Sequence, residues 1–197
     1  METATDFIGV TSMHGWCTVE KANKLYELTK ESKPSLVVEL GVFGGRSLVP
    51  MALAAKENGK GIVLGVDSWS KQASLEGAND AANDDWWSKV DYEKIYNNCI
   101  HQIESRKLEN CGLIRMKSLQ IGLAFCDNSI DVLHQDSNHS ELITTREVEL
   151  YMPKLKQGGY WISDDTDWST VKKSVEMILQ YCDEVFDGGT FKIFRKR

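Results

Sequence analysis

The sequence predicts an α/β fold: one domain built on a seven-stranded, mostly parallel sheet, with helices on both faces and an antiparallel hairpin at the end. Three observations predict it. Short apolar runs recur along the chain, and several of them are closed by a glycine or an acid. Longer stretches with apolar residues at helical spacing separate most of these runs. Near the C-terminus, two short runs flank Asp187-Gly188-Gly189, a turn suited to a hairpin.

The elements follow in order. Thr18 to Glu31 places Val19, Ala22, Leu25, Tyr26 and Thr29 near helical spacing behind a Thr cap, and Lys33-Pro34 stops it. Residues 1–33 thus form a helical leader. Leu36 to Leu40 reads as a buried strand ended by Gly41, and Ser47 to Asn58 as a helix rich in Leu, Met and Ala. Gly61 to Asp67 repeats the strand at the distance of one β-α-β unit, so the two strands are parallel. Ser68 to Ser88 is polar, lacks a clear period and carries Trp69, Trp86 and Trp87, which predicts a long loop or insertion, residues 70–90 forming the substrate-side insertion. Helical spacing returns at Tyr92, Ile95, Tyr96, Cys99 and Ile103. Strands are then expected at 113–116, 130–135 and 159–163, with helices at 141–155 and 171–181. The hairpin pairs 184–186 with 190–194.

Composition narrows the function. The 197 residues carry a net charge of −6, and the basic residues form no block beyond Arg195-Lys196-Arg197, which argues against nucleic acid as a partner. The N-terminus is acidic, and no apolar run approaches the roughly 18 residues of a membrane span, so no membrane is expected and the chain reads as cytoplasmic. Five scattered cysteines without a C-x-x-C pair point to reduced thiols. A homo-oligomer is compatible with all of this.

Chemistry concentrates at the predicted strand ends. Glu39-Leu40-Gly41-Val42-Phe43-Gly44-Gly45-Arg46-Ser47 links a strand to a helix, where glycines permit positive φ and close backbone approach and a helix start offers free N–H groups. Such a turn cradles a phosphate or a carboxylate. Asp67 ends the second strand, placed for the two hydroxyls of a ribose. Asp136 follows the fourth predicted strand and Asp164-Asp165 the fifth, so parallel strands bring all three to one edge. Converging carboxylates need a cation, and an oxygen-only set suits Mg²⁺, with Mn²⁺ or Ca²⁺ as alternatives. Asp167 reads as a helix cap, and His14, His101 and His134 as structural residues, with His134 packed on its strand.

The segment Val38 to Ser47 resembles the first motif of class I methyltransferases that use S-adenosylmethionine (SAM). Gly65-Val66-Asp67-Ser68-Trp69 resembles the second, and Pro153 to Tyr160 the turn before the fifth strand. Met13-His14-Gly15-Trp16 with Glu20 and Leu25-Tyr26 is similar to the leader of the cephalosporin-hydroxylase-like and macrolide-sugar O-methyltransferases. The glycines depart from G-x-G-x-G, being spaced Gly41-x-x-Gly44-Gly45. The resemblance implies a Rossmann-like sheet and an O-methyltransferase. It implies Glu39 and Gly41 near the methionine part of SAM, Arg46 and Ser47 at its carboxylate, and Asp67 on the ribose, with Val42, Phe43, Gly45 and Asp136 also binding the cofactor. Ser68, Trp69, Lys117 and Ser118 would flank the adenine. Asp136 and Asp164 lie 28 residues apart, as in the metal triads of catechol-type and macrolide-sugar enzymes, with His139 at the place of the catalytic base. An imidazole can take a proton near neutral pH.

The expected reaction therefore has a metal on Asp136, Asp164 and Asp165 lower the pKa of an acceptor hydroxyl, which His139 deprotonates. Trp86 and Trp87, with His14 and Trp16, are assigned to the acceptor, a small molecule or sugar such as a deoxyhexose. Three alternatives stand beside it: a catechol acceptor, a metal-independent methyltransferase in which the acids are structural, and a nicotinamide oxidoreductase, whose usual Tyr-Lys pair is not found.

Overall fold

A computed structural model of the chain describes residues 12–78 and 81–197. The first 11 residues of the leader, and Asn79 and Asp80 of the predicted loop, lie outside the described residues. Seven strands form one sheet in the order β3-β2-β1-β4-β5-β7-β6. They are β1 (Leu36–Leu40), β2 (Ile62–Asp67), β3 (Cys111–Arg115), β4 (Ile130–Gln135), β5 (Leu155–Ser163), β6 (Cys182–Asp187) and β7 (Lys192–Lys196). Strands β1 to β5 pair in parallel, while β7 runs antiparallel to both β5 and β6. The predicted sheet and its closing hairpin are what the chain forms.

Alternation along each strand divides the core in two. Val37, Val132, Ile162 and Ile193 point to one face, where they pack with Ala22, Leu25, Leu48 and Met51. Their chain neighbours Val38, Leu133, Trp161 and Phe194 point to the other, against Val148, Tyr151 and Ile178. The helices are α1 (Val19–Ser32), α2 (Leu48–Glu57), α3 (Lys71–Ser74), α4 (Ala81–Ser88), α5 (Tyr92–Ser105), α6 (Ser118–Ile121), α7 (Glu141–Tyr151) and α8 (Lys172–Leu179). Helix α1 starts where Thr18 Oγ1 accepts from the Lys21 amide at 3.1 Å.

Two expectations are corrected. The stretch 70–90 is not all loop: it folds into α3 and α4, and Asn138 Nδ2 donates to the carbonyls of Ala73, Ser74 and Glu76 at 2.8–3.2 Å. The helix after β4 ends at Tyr151 rather than Leu155, because Pro153 intervenes and Leu155 already pairs with Ile130.

The chain order reverses between β1 and β4, which are neighbours, so the crevice beyond their C-terminal ends is where an open sheet of this kind admits a ligand. At the opposite end Asp131 accepts from the Ser35 and Leu36 amides and from Lys156, at 2.9, 2.9 and 2.7 Å, fixing β1 and β5 to β4. All five cysteines are free thiols. Among the described residues, no helix is long and apolar enough to cross a membrane.

Candidate active site

A cavity of about 860 Å³ opens at the C-terminal rim of the sheet. Every predicted site residue lines it except Glu39 and Gly45. Two turns shape its floor. Gly41 has φ +85°, and a Cβ there would meet the Asp136 carbonyl oxygen at 1.9 Å; a Cβ on Gly44 would meet the His14 carbonyl oxygen at 2.2 Å. These glycines therefore let the β1–α2 turn pass close to β4 and to the leader, in addition to any approach by a ligand. Gly45, also at positive φ, lies inside the turn.

At one end, the Asp67 carboxylate accepts from the amides of Val42, Phe43 and Trp69 at 2.7–3.0 Å. Burial pushes Asp67 above the usual carboxylate range, and these amides oppose the shift. Asp67 thus locks the first turn onto β2. Ser68 lines the cavity beside it, and Trp69 is buried, its indole donating to the Phe43 carbonyl at 2.9 Å and lying 4.7 Å from the Tyr96 ring. Trp69 is therefore a wall rather than a free stacking surface. Lys117 pairs with Glu76 at 2.7 Å, and the Ser118 carbonyl accepts from Tyr151 at 2.7 Å.

Beneath the cavity, Glu39 is fully buried, bonded to the Ser47 hydroxyl and 2.8 Å from His134 Nδ1. Burial raises its pKa, and the His134 contact pulls it back. His134 is buried as predicted, but it makes this polar contact instead of merely packing. Arg46 Nη1 donates to the Gly15 carbonyl, tying the turn to the leader.

The other end holds the charges. His139 lies between two carboxylates, with Nδ1 3.1 Å from Asp165 and Nε2 3.4 Å from Asp136. Burial disfavours the imidazolium, but Asp136 and Asp165 outweigh it and raise the His139 pKa above the usual histidine range. The Trp168 ring meets His139 edge-on at 5.3 Å.

Sequence reasoning missed Lys21. Its ammonium bridges Asp136, at 3.3 Å, and Asp164, in a closer contact. Burial opposes its charge, but the two carboxylates raise its pKa overall. Burial and the adjacent Asp136 push Asp164 up to about 6, whereas Lys21 and His139 hold Asp136 below the usual range. The available signal was register: Lys21, Leu25 and Thr29 follow one another at four-residue spacing and are all buried on α1. Asn138 and Trp168 were missed as well, and neither had a pattern to announce it.

Of the three acids expected to hold Mg²⁺, Asp136 and Asp164 converge, and Asp165 faces His139. Asp136 and Asp164 each turn an oxygen to Lys21, so a chain cation lies between these two acids. Among the described residues, the one acidic and histidine group with ligand atoms within 4.8 Å of one another is Glu39, His134 and Asp136, which shares only Asp136 with the predicted triad.

At the mouth, Trp16 stacks on Phe43 with centroids 5.2 Å apart and meets Trp86 at 4.8 Å and Trp87 at 5.8 Å. The leader and the segment 81–88 are thereby joined in one aromatic wall. His14 lines the same region.

A mostly parallel sheet with this crossover, a glycine turn locked by an acid on β2, and a histidine between carboxylates at the far end fit a class I, SAM-dependent methyltransferase. Residues 38–166 match the model of the family described as a methyltransferase domain, and the chain belongs to that family. The methyltransferase PaMTH1 of Podospora anserina, solved with S-adenosylhomocysteine (SAH) bound, has a TM-score of 0.70 at 9% identity, over 100% of this chain and 89% of that one. The O-methyltransferase NovP has a TM-score of 0.67 at 15% identity, over 92% and 83% of the two chains. An O-methyltransferase from Bacillus cereus in complex with SAH has 0.62 at 13%, over 98% and 89%. Likeness at these identities establishes the fold. No curated protein sequence matches the chain significantly.

Proposed function

We propose that the chain transfers the methyl group of SAM to a hydroxyl of a small molecule, with a sugar hydroxyl, such as that of a deoxyhexose glycoside, as the first acceptor class. The observation that carries this reading is His139, held by Asp136 and Asp165 at the end of the cavity away from Asp67.

The cavity suits SAM on the chemistry of its lining. Asp67 and Ser68, with Lys117 and Ser118, supply acceptors and donors for a nucleoside at one end. Arg46, whose Nε is buried without a hydrogen-bond partner, suits a carboxylate, and Ser47 lines the cavity beside it. When bound, SAM supplies an electrophilic methyl carbon, which the acceptor oxygen takes as the carbon–sulfur bond breaks, leaving SAH. His139 accepts the hydroxyl proton, and Asp136 and Asp165 stabilise the imidazolium that results. The wall of Trp16, Phe43 and Trp86 offers flat apolar faces to a sugar ring or an arene and excludes water from the acceptor. The divalent ion expected from the sequence has no step in this reading.

The test is a screen with methyl-labelled SAM against deoxyhexose glycosides and catechols, the product located by mass spectrometry. Label on a sugar oxygen is the expected result. Label on catechol oxygens alone would transfer the reading to aromatic hydroxyls, and label on nitrogen, or failure to bind SAH, would overturn it.

A further inference from the structure

We propose that Lys21 is the resident cation of the acidic end of this site, holding Asp136 and Asp164 together and offering its remaining N–H to the acceptor oxygen, so that the enzyme takes no divalent ion there. The inference rests on the methyltransferase reading above and adds a residue to it.

The geometry carries it. Lys21 is only 4% exposed and lines the cavity, an unusual setting for a lysine unless carboxylates surround it. Its ammonium has three donors, and two of them meet Asp136 and Asp164. Its backbone is pinned as well, because the Thr18 side chain accepts from the Lys21 amide in the first turn of α1. The cation is therefore delivered by a capped helix packed against the core. A hard divalent ion would need six or more oxygens, several from these same carboxylates, and would have to approach a fixed positive charge. The remaining oxygen of Asp136 faces His139, as does Asp165. One ammonium thus links the two carboxylates, while the histidine holds the third.

An acceptor hydroxyl placed between Lys21 and His139 would donate its proton to the imidazole while its oxygen accepts from the ammonium. Lys21 would then stabilise the negative charge that grows on that oxygen, the service a metal performs in the arrangement expected from the sequence.

Mn²⁺ binding read by electron paramagnetic resonance, with SAH present and absent, tests this without knowledge of the acceptor. Wild-type protein should bind no Mn²⁺ at this site. Lys21→Met, which keeps the length and removes the charge, should bind it tighter by roughly 100-fold or more, the scale of removing one buried charge partner. That gain should vanish when Asp164→Asn is added. Stoichiometric Mn²⁺ on the wild type, lost in Asp164→Asn, overturns the proposal, as does a folded Lys21→Met that gains no Mn²⁺ affinity. If Lys21→Met does not fold, Lys21→Arg, which keeps the charge, takes its place: exclusion of Mn²⁺ supports the proposal and binding overturns it. SAH calorimetry on the same samples reads the methyltransferase assignment separately, since loss of SAH binding in the wild type would sink that assignment whatever Mn²⁺ does.

Discussion

His139 shows how two neighbours can retune one side chain. Burial alone would favour the neutral ring, yet Asp136 and Asp165 flank it and the net effect is a raised pKa. A base must be unprotonated to act, so kcat should rise with pH through a limb above the usual histidine value of about 6.5. Asp165→Asn removes one of the stabilising charges and should move that limb to lower pH. His139→Ala should lower kcat by about 10²- to 10⁴-fold while SAH affinity stays within a small factor. Full activity of His139→Ala at neutral pH would remove His139 from the mechanism. At this scale, the places of Asp67, Asp136, Asp164, Asp165 and His139 were legible because each ends or follows a strand, and strand ends share one rim. Lys21 was legible only as part of the buried stripe it shares with Leu25 and Thr29; where that stripe of α1 lands on the sheet is set by packing. Glu39 was only half legible: its place at the end of β1 was clear, but not its enclosure by Ser47 and His134.

At the scale of elements, the strands could be read from short apolar runs, which follow from burial on both faces of the sheet, and the long helices from their periodicity, which follows from burial of one face. Helices α3 and α4 could not. They have 4 and 8 residues, with none of the described side chains buried, so a sequence window holds no apolar period to detect. What fixes this region is remote: Asn138, just after β4, bonds three carbonyls around α3, and its Oδ1 accepts from the Ser140 amide at the start of α7. Trp86 and Trp87 add a second attachment by meeting Trp16 of the leader. Asn138→Ala should therefore free the segment around residues 71–76 before it harms the sheet. Amide exchange should accelerate there by roughly 10-fold or more, for a loss of about 1.5 kcal/mol of local stability, and the acceptor KM should rise more than kcat falls. Unchanged exchange in this segment would mean that the aromatic wall alone holds it.

The whole molecule is one sheet with a core on each face, and its cavity is assembled from segments far apart in the chain. The leader supplies Trp16 and Lys21, the first turn Arg46, the segment 81–88 its indoles, and the ends of β4 and β5 the acids. None of these reaches the others without the folded sheet, so a ligand spanning the cavity binds only the native state and stabilises the chain by mass action. SAH at 100 times its Kd should add about 2.7 kcal/mol. For a domain of this size each kcal/mol raises Tm by about 2–4 °C, so the midpoint should rise by about 5–11 °C. Both core faces share the strands, so the melt should stay a single transition and shift as a unit. EDTA should leave the shift unchanged, because Lys21 already compensates Asp136 and Asp164. A shift confined to part of the melt would show that the cofactor end folds apart from the rest. A shift abolished by EDTA and restored by Mg²⁺ would put a divalent ion back between the acids.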